Sequence, residues 1–161
     1  MTQETIEFEF HLLSEYWNKP PVAKIAVNDT EYFNDTISKG THVIKFTHTC
    51  DFDTPHRLTL TRSGKDDAQC KKLPNGQQLD QVLTLEKLKI DGIDIRNIVW
   101  SQSINKAEYP EPWASEQRAA GNLLEEEAIG VTTFGHNGIW YLDFTSPVYI
   151  FIMSWMGGGP Q

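Results

Sequence analysis

Histidine, cysteine and close-set aspartate are the side chains of this chain that could hold a metal or attack a substrate, and their spacing decides which chemistry is open to them. The five histidines, His11, His42, His48, His56 and His136, fall on predicted strands or turns. His42 and His48 share one face of one predicted strand, but six residues of straight extended chain put them about 20 Å apart. Cys50 and Cys70 stand without a CxxC pair or a histidine at ligand spacing, which argues against a structural zinc site. Two strands could still bring the thiols together as a disulfide; synthesis in a reducing cytosol favours free thiols instead. No GxSxG elbow, HExxH helix or phosphate-binding glycine loop is present. The run Glu125-Glu126-Glu127 reads as a solvated face, since catalytic carboxylates need burial to tune them. The expectation is a non-enzymatic chain.

Two other sets of residues suit binding. Asp51, Asp53 and Asp91, with Asp66, Asp67 and Asp94, supply the hard oxygens that calcium takes from loops, so one structural calcium ion is considered, with no other cofactor expected. The same aspartates also suit turns: Asp51 and Asp53 at one corner, Asp91-Gly92 as a tight hairpin, Asp66 and Asp67 solvating a loop. The aromatic residues carry more weight, because a flat ring face can stack on a sugar ring while polar groups line its edge. Trp17, Tyr109, Trp113 and Trp155 are the candidate ligand- or partner-binding residues. Polar and proline neighbours around Trp17 and Trp113 predict exposure. Core or interface packing is the competing use for such rings.

These side chains must be held by strands. Ile6, Phe8, Phe10 and Leu12 alternate with Thr5, Glu7, Glu9 and His11, the pattern of a half-buried strand. Val22–Val27 resumes an extended run, and Asn28-Asp29 turns it into a hairpin with Glu31-Tyr32-Phe33. Thr41–Thr49 and Arg57–Arg62 alternate again through Ile44, Phe46, Leu58 and Leu60. Residues 63–80 form a long polar excursion of the kind that carries function. Gln81–Ile95 reads as one long strand or a strand pair around Asp91-Gly92. Pro112 with Trp113–Ala120 suits a short helix closed by Gly121. Gly130–Phe134 and Ile139–Phe144 return to strand. Beyond Ser146-Pro147 the pattern divides: serine and proline suit a helix start, while Val148-Tyr149-Ile150-Phe151-Ile152 suits a strand. Residues 157–161 read as a loose tail.

Seven to nine short strands with frequent turns predict an all-β fold: an antiparallel two-sheet β-sandwich, jelly-roll-like, with one or two short helices. The length of 161 residues fits a single domain, with a connecting arm around 104–128 and a C-terminal apolar segment at 146–156. A net charge of −8 repels a phosphate backbone, so nucleic acid is not an expected partner. No apolar window approaches the ~20 residues that span a bilayer, and MTQETIEFEF lacks the basic and apolar regions of a signal peptide. A soluble chain without its own export signal, and without a membrane partner, is expected. A metal-dependent jelly-roll enzyme would need closely spaced histidines and a carboxylate, a spacing this sequence lacks.

Pro21-Val22, IAVNDTEYF, PHRLTLTRSGK and LTLEKLKIDGIDI, spanning roughly residues 5 to 100, resemble the carbohydrate-binding-module-like β-sandwich virion proteins of tailed bacteriophages, of the marine myovirus type. The stretch from YPEPWASEQ to FGHNGIWYLDFTSPVYIFIMSWM is similar in style to a later part of such proteins. The resemblance implies an accessory or decoration component of a virion, made in the host cytoplasm and assembled in multiple copies with other virion proteins. Surface glycans are a further implied partner. The alternative is a carbohydrate-binding module that recognises cell-surface or plant and algal glycans. No ring of aromatics repeats at alternate strand positions, a departure from sugar-binding relatives.

Overall fold

The computed structural model describes residues 2–66 and 69–156. Asp67 and the 157–161 tail lie outside the described residues. Four strands, β1 (Gln3–Glu15), β4 (Gly40–Asp51), β8 (Val82–Ile90) and β12 (Thr133–Phe134), form one antiparallel sheet in the order β12-β8-β1-β4. A short β9 (Ile93–Asp94) folds back on β8 across Asp91-Gly92, so the Gln81–Ile95 run is a strand pair. The second sheet contains β2 (Val22–Val27), β3 (Thr30–Thr36), β5 (Pro55–Ser63), β10 (Ile104–Ala107), β11 (Ala128–Ile129) and β13 (Gly138–Thr145). Its order is β11-β10-β13-β5-β2-β3. The chain is thus a mostly-β sandwich of antiparallel sheets, with three short helices among the described residues where one or two were expected.

Alternation builds the interior. Ile6, Phe8, Phe10 and Leu12 of β1 are fully buried, as are Leu58 and Leu60 of β5. Phe10 meets Trp140 of β13 edge-on at 6.3 Å, and Phe8 meets Phe144 at 5.9 Å, so these rings join the two sheets. Burying Phe8, Phe10, Trp140 and Phe144 stabilises the fold by roughly 1.5–3 kcal/mol for each large side chain.

Two bulges break strict alternation and account for irregular sequence patterns. Opposite β1, Lys87 pairs with His11 and Leu85 with Leu12, leaving Glu86 as the extra residue. Leu85 and Leu88, three positions apart, therefore both face inward. On β3, Phe33 pairs with Ile25 and Glu31 with Ala26, and the extra residue is Tyr32. Its ring stacks on Phe46 at 4.4 Å and its hydroxyl bonds His48 Nδ1, closing the open edge between the sheets. Burial holds the His48 imidazole below its ordinary pKa.

The helices are where sequence and structure part. Residues 96–102 form α1 (Arg96–Gln102), to which strand-centred reading assigned no element. Asp94 Oδ1 accepts the Arg96 N–H at 3.0 Å at its entry, and the helix buries Ile98 and Val99. The expected short helix is α2 (Trp113–Ala119). The open question at the C-terminal segment resolves as α3 (Val148–Met156). Val148 and Ile152, one helical turn apart, are both buried. The start of α3 is secured from 144 positions away: Glu4 Oε2 accepts the Val148 N–H at 2.7 Å and also the Ser146 hydroxyl proton. A carboxylate there also meets the positive end of the helix dipole.

Candidate functional site

Three irregular segments converge at the end of the sandwich where β5 stops and β13 begins. Segment 63–81 leaves β5, carries the small hairpin of β6 (Lys71–Lys72) and β7 (Gln78–Leu79), and returns to β8. Residues 108–113 lead from β10 into α2, and residues 135–137 form the turn into β13. Between them lies a cleft of about 560 Å³, lined by Lys65, Asp80, Glu108, Tyr109, Trp113 and His136 among others. The polar excursion is thus one wall of a cleft.

Asn137 ties the segments together. Its Oδ1 accepts the Lys65 N–H at 3.1 Å and Arg62 Nη1–H at 3.0 Å, and its Nδ2 donates to Lys65 O at 2.9 Å. Its carbonyl accepts the Glu108 N–H at 2.7 Å. Beneath it, Arg62 is only 2% exposed, with Nη2 donating to Gln81 O. Burial pushes the Arg62 guanidinium down to about 10, against the opposing pull of Asp80. Gln81 Nε2 donates to Lys19 O at 2.8 Å, so the buried network also anchors the chain beyond β1. Gly138 permits the close approach of β10, since a Cβ there would stand 2.3 Å from Lys106 O.

On this frame three rings form one platform. Tyr109 and Trp113 have centroids 6.1 Å apart, Tyr109 and His136 5.1 Å, and Trp113 and His136 5.4 Å. The Tyr109 hydroxyl donates to Glu125 O at 2.6 Å, fixing the ring. Burial, then the positive charge of Lys65, holds His136 below its ordinary pKa, while Asp80 pulls it up and Arg62 pushes it further down. The polar rim is self-ordered as well: Lys65 Nζ lies 2.7 Å from Asp80 Oδ1 and donates to Gly135 O at 2.6 Å.

Of the aromatic residues singled out in the sequence, Tyr109 and Trp113 meet in this cleft. Trp17 does not line it; its Nε1 donates at 2.8 Å to Gln69 O, in the segment that supplies Asp66 and Cys70 to the lining. Trp155 sits exposed on α3. His136 carries no signal in the sequence that pairs it with these rings, reading there only as one of five histidines on strands or turns. Asp51 and Asp91 stand apart. Asp51 Oδ1 accepts from Gln3 Nε2 and Asp91 Oδ1 from the Glu7 N–H, four residues along β1 and so about 13 Å apart. Asp53 and Asp91 occupy left-handed turn positions, φ 58° and 49°. Among the described residues no group of three or more His, Cys, Asp or Glu could hold a metal ion. Cys50 and Cys70 are free thiols, one buried and one exposed. Burial, with Glu4 and Asp51 nearby, pushes the Cys50 thiol up to about 11.

No protein-family model matches the chain. No curated protein matches its sequence. Among solved structures it is similar to vCBM60 in complex with galactobiose, with a TM-score of 0.48 and 11% identity over 86% of this chain and 97% of that one. It is also similar to a SeMet form of vCBM60, from work linking two families of calcium-dependent carbohydrate binding modules by circular permutation. That likeness has a TM-score of 0.49 and 9% identity over 87% of this chain and 90% of the other. What the cleft binds has to be read from the cleft itself.

Proposed function

We propose that the chain is a non-catalytic binding module whose Tyr109–Trp113–His136 cleft takes carbohydrate. The observation that carries this reading is the platform: three rings packed edge and face at 5.1–6.1 Å, with charged and amide side chains around it. An aromatic cage for an ammonium group needs its rings apart, each within about 6 Å of a cation held between them. These rings fill that space with one another, so their use is outward, against the face of a flat apolar partner with hydroxyls at its edge. Turnover has less support. Cys70 is the thiol in the cleft, and its Sγ contacts Gln78 Nε2 at 3.3 Å rather than the His136 imidazole. A nucleophile without a base in reach is not activated.

The test is titration with neutral saccharides, followed by calorimetry or by amide shifts in a nuclear magnetic resonance spectrum. Binding in the millimolar to micromolar range that Trp113→Ala abolishes supports the reading. No shift at residues 65, 109, 113 and 136 with any sugar in a broad panel overturns it.

A second reading is favoured by α3, whose outward side exposes Tyr149, Ile150, Met153 and Trp155 with no charged residue in the helix. Clustered exposed apolar side chains mark protein interaction surfaces. In this reading the module docks through α3 on another protein. The sequence resemblance supplies the setting, a virion on which many copies sit, and the glycan cleft would then face outward. Co-assembly with particle proteins that Ile150→Asp abolishes supports it; unchanged assembly by that variant removes α3 from the interface.

A further inference from the structure

We propose that the sugar cleft continues past Tyr109 and His136 into a second subsite, so that the ligand is an uncharged glycan chain rather than a single ring; this rests on the carbohydrate reading of the first cleft. A second cleft of about 370 Å³ lies against the first, lined by Asn105, Leu123, Glu125, Val131 and Thr133. The two share Tyr109, Gly135 and His136 as common lining. Each has the size of a small-ligand site, about 300–1,000 Å³.

The boundary between them is held in place. Tyr109 is held by its hydroxyl on Glu125 O at 2.6 Å and by the edge-on packing of His136 at 71°. Beside it the shared lining is Gly135, where a Cβ would meet nothing within 4 Å. At this residue, common to both clefts, no lining atom stands in the way of a chain that crosses from one to the other. A chain of sugar rings, with thin linkages between bulky units, suits two chambers joined by such a neck.

Charge selects the class of chain. Asp66, Asp80 and Glu108 line the first cleft and Glu125 the second. Lys65 is the one cation among the described lining residues, and Asp80 holds it at 2.7 Å. A uronate chain would bring its carboxylates against these groups in a partly desolvated site, where like charges repel more strongly than in bulk water. Hydroxyl-bearing neutral rings meet acceptors instead.

Two substitutions separate the subsites. Thr133 is exposed and lines the second cleft, so Thr133→Trp fills it from the surface. Gly135→Leu fills space at the neck; its backbone is outside the left-handed region and its Cβ finds open space, so the substitution imposes no backbone strain. The experiment is calorimetric titration of the full chain with cello-, manno- and xylotetraose, their monosaccharides, and a galacturonate tetramer. At least one neutral tetrasaccharide is expected to bind about tenfold or more tightly than its monosaccharide, with the galacturonate tetramer weaker than all three neutral chains. Thr133→Trp is expected to abolish that gain without changing monosaccharide affinity, and Gly135→Leu to bring the tetrasaccharide down to about the monosaccharide level. Equal affinity for one ring and four, or a gain that survives both variants, overturns the second subsite while leaving the first cleft in place. Binding of the galacturonate tetramer as tight as the best neutral chain overturns the charge assignment. Absence of binding to every sugar in the panel removes the carbohydrate reading and the second subsite together.

Discussion

Along β1, every second side chain from Ile6 to Leu12 is buried, and β4, β5 and β13 answer with a matching rhythm. The cleft has no rhythm. Lys65, Tyr109, His136 and Asn137 come from three loops and Trp113 from the start of α2, and what relates the loops is a set of hydrogen bonds centred on Asn137. The sandwich is held mainly by area removed from water, which tolerates substitution of one apolar group by another of like volume. The cleft is held by directional bonds that tolerate no change of chemistry. In the proposed reading ligand specificity belongs to the second region, where polar atoms are fixed around an accessible cleft.

That contrast predicts the largest effect in the sandwich. Trp140→Ala removes the ring that joins the sheets against Phe10, and at 1% exposure the cavity cannot open to solvent. A loss of about 3–5 kcal/mol is expected in urea unfolding. A loss below about 1 kcal/mol would break the picture of one interior shared by both sheets.

Arg62→Leu is the next largest, and it acts on the seam between the regions. The leucine keeps the buried volume apolar but leaves Gln81 O and Asn137 Oδ1 each short of a donor. The expected cost is about 1–3 kcal/mol, accompanied by weaker sugar binding as Asn137 loses its brace. A stabilised variant with intact binding would mean that the desolvation of the guanidinium outweighs its bonds. By contrast, Trp113→Ala should change stability by less than about 1 kcal/mol, since the ring is 36% exposed on a two-turn helix. Its effect on sugar affinity should be about tenfold or more. Large destabilisation by this variant would place Trp113 in the structural frame and remove it from the platform.

The same division explains what could be read from the chain alone. Alternation has a period of two, so β1, β2, β4, β5, β8 and β13 announce themselves. Bulges at Tyr32 and Glu86 shift that period by one residue and only blur it. The helix α1 is hidden in the sequence because seven residues hold too few turns to display a 3.6-residue period and, unlike α2, no proline or glycine marks its ends. The start of α3 depends on Glu4, which no local pattern links to Val148. In the cleft, Tyr109 and Trp113 stood out as rings among prolines and polar residues. The identity of His136 as their third member lay in a fold-level approach of two loops, and local sequence does not encode that.

The smallest effect concerns acid, and it separates the regions most sharply. His48 belongs to the sandwich edge, bonded to Tyr32, while His136 belongs to the platform; both are held below the ordinary histidine value of about 6.5, in each case chiefly by burial. A histidine whose folded pKa is depressed is protonated more readily in the unfolded chain. Its neutral form therefore contributes stability that is intact above about pH 6.5 and is lost as pH falls through the lower folded value. Both residues predict a fall in unfolding free energy on that side of neutrality. His48→Gln should flatten the acid dependence of stability and leave that of sugar binding unchanged. His136→Phe should do the reverse for binding, because a protonated imidazole draws water onto the face that stacks the sugar, whereas phenylalanine keeps an apolar ring at every pH. Burial first, then Lys65 and more weakly Arg62, disfavour a charge on His136, with Asp80 opposing them. Binding that declines equally with acid in wild type and His136→Phe would move the titrating group off the platform.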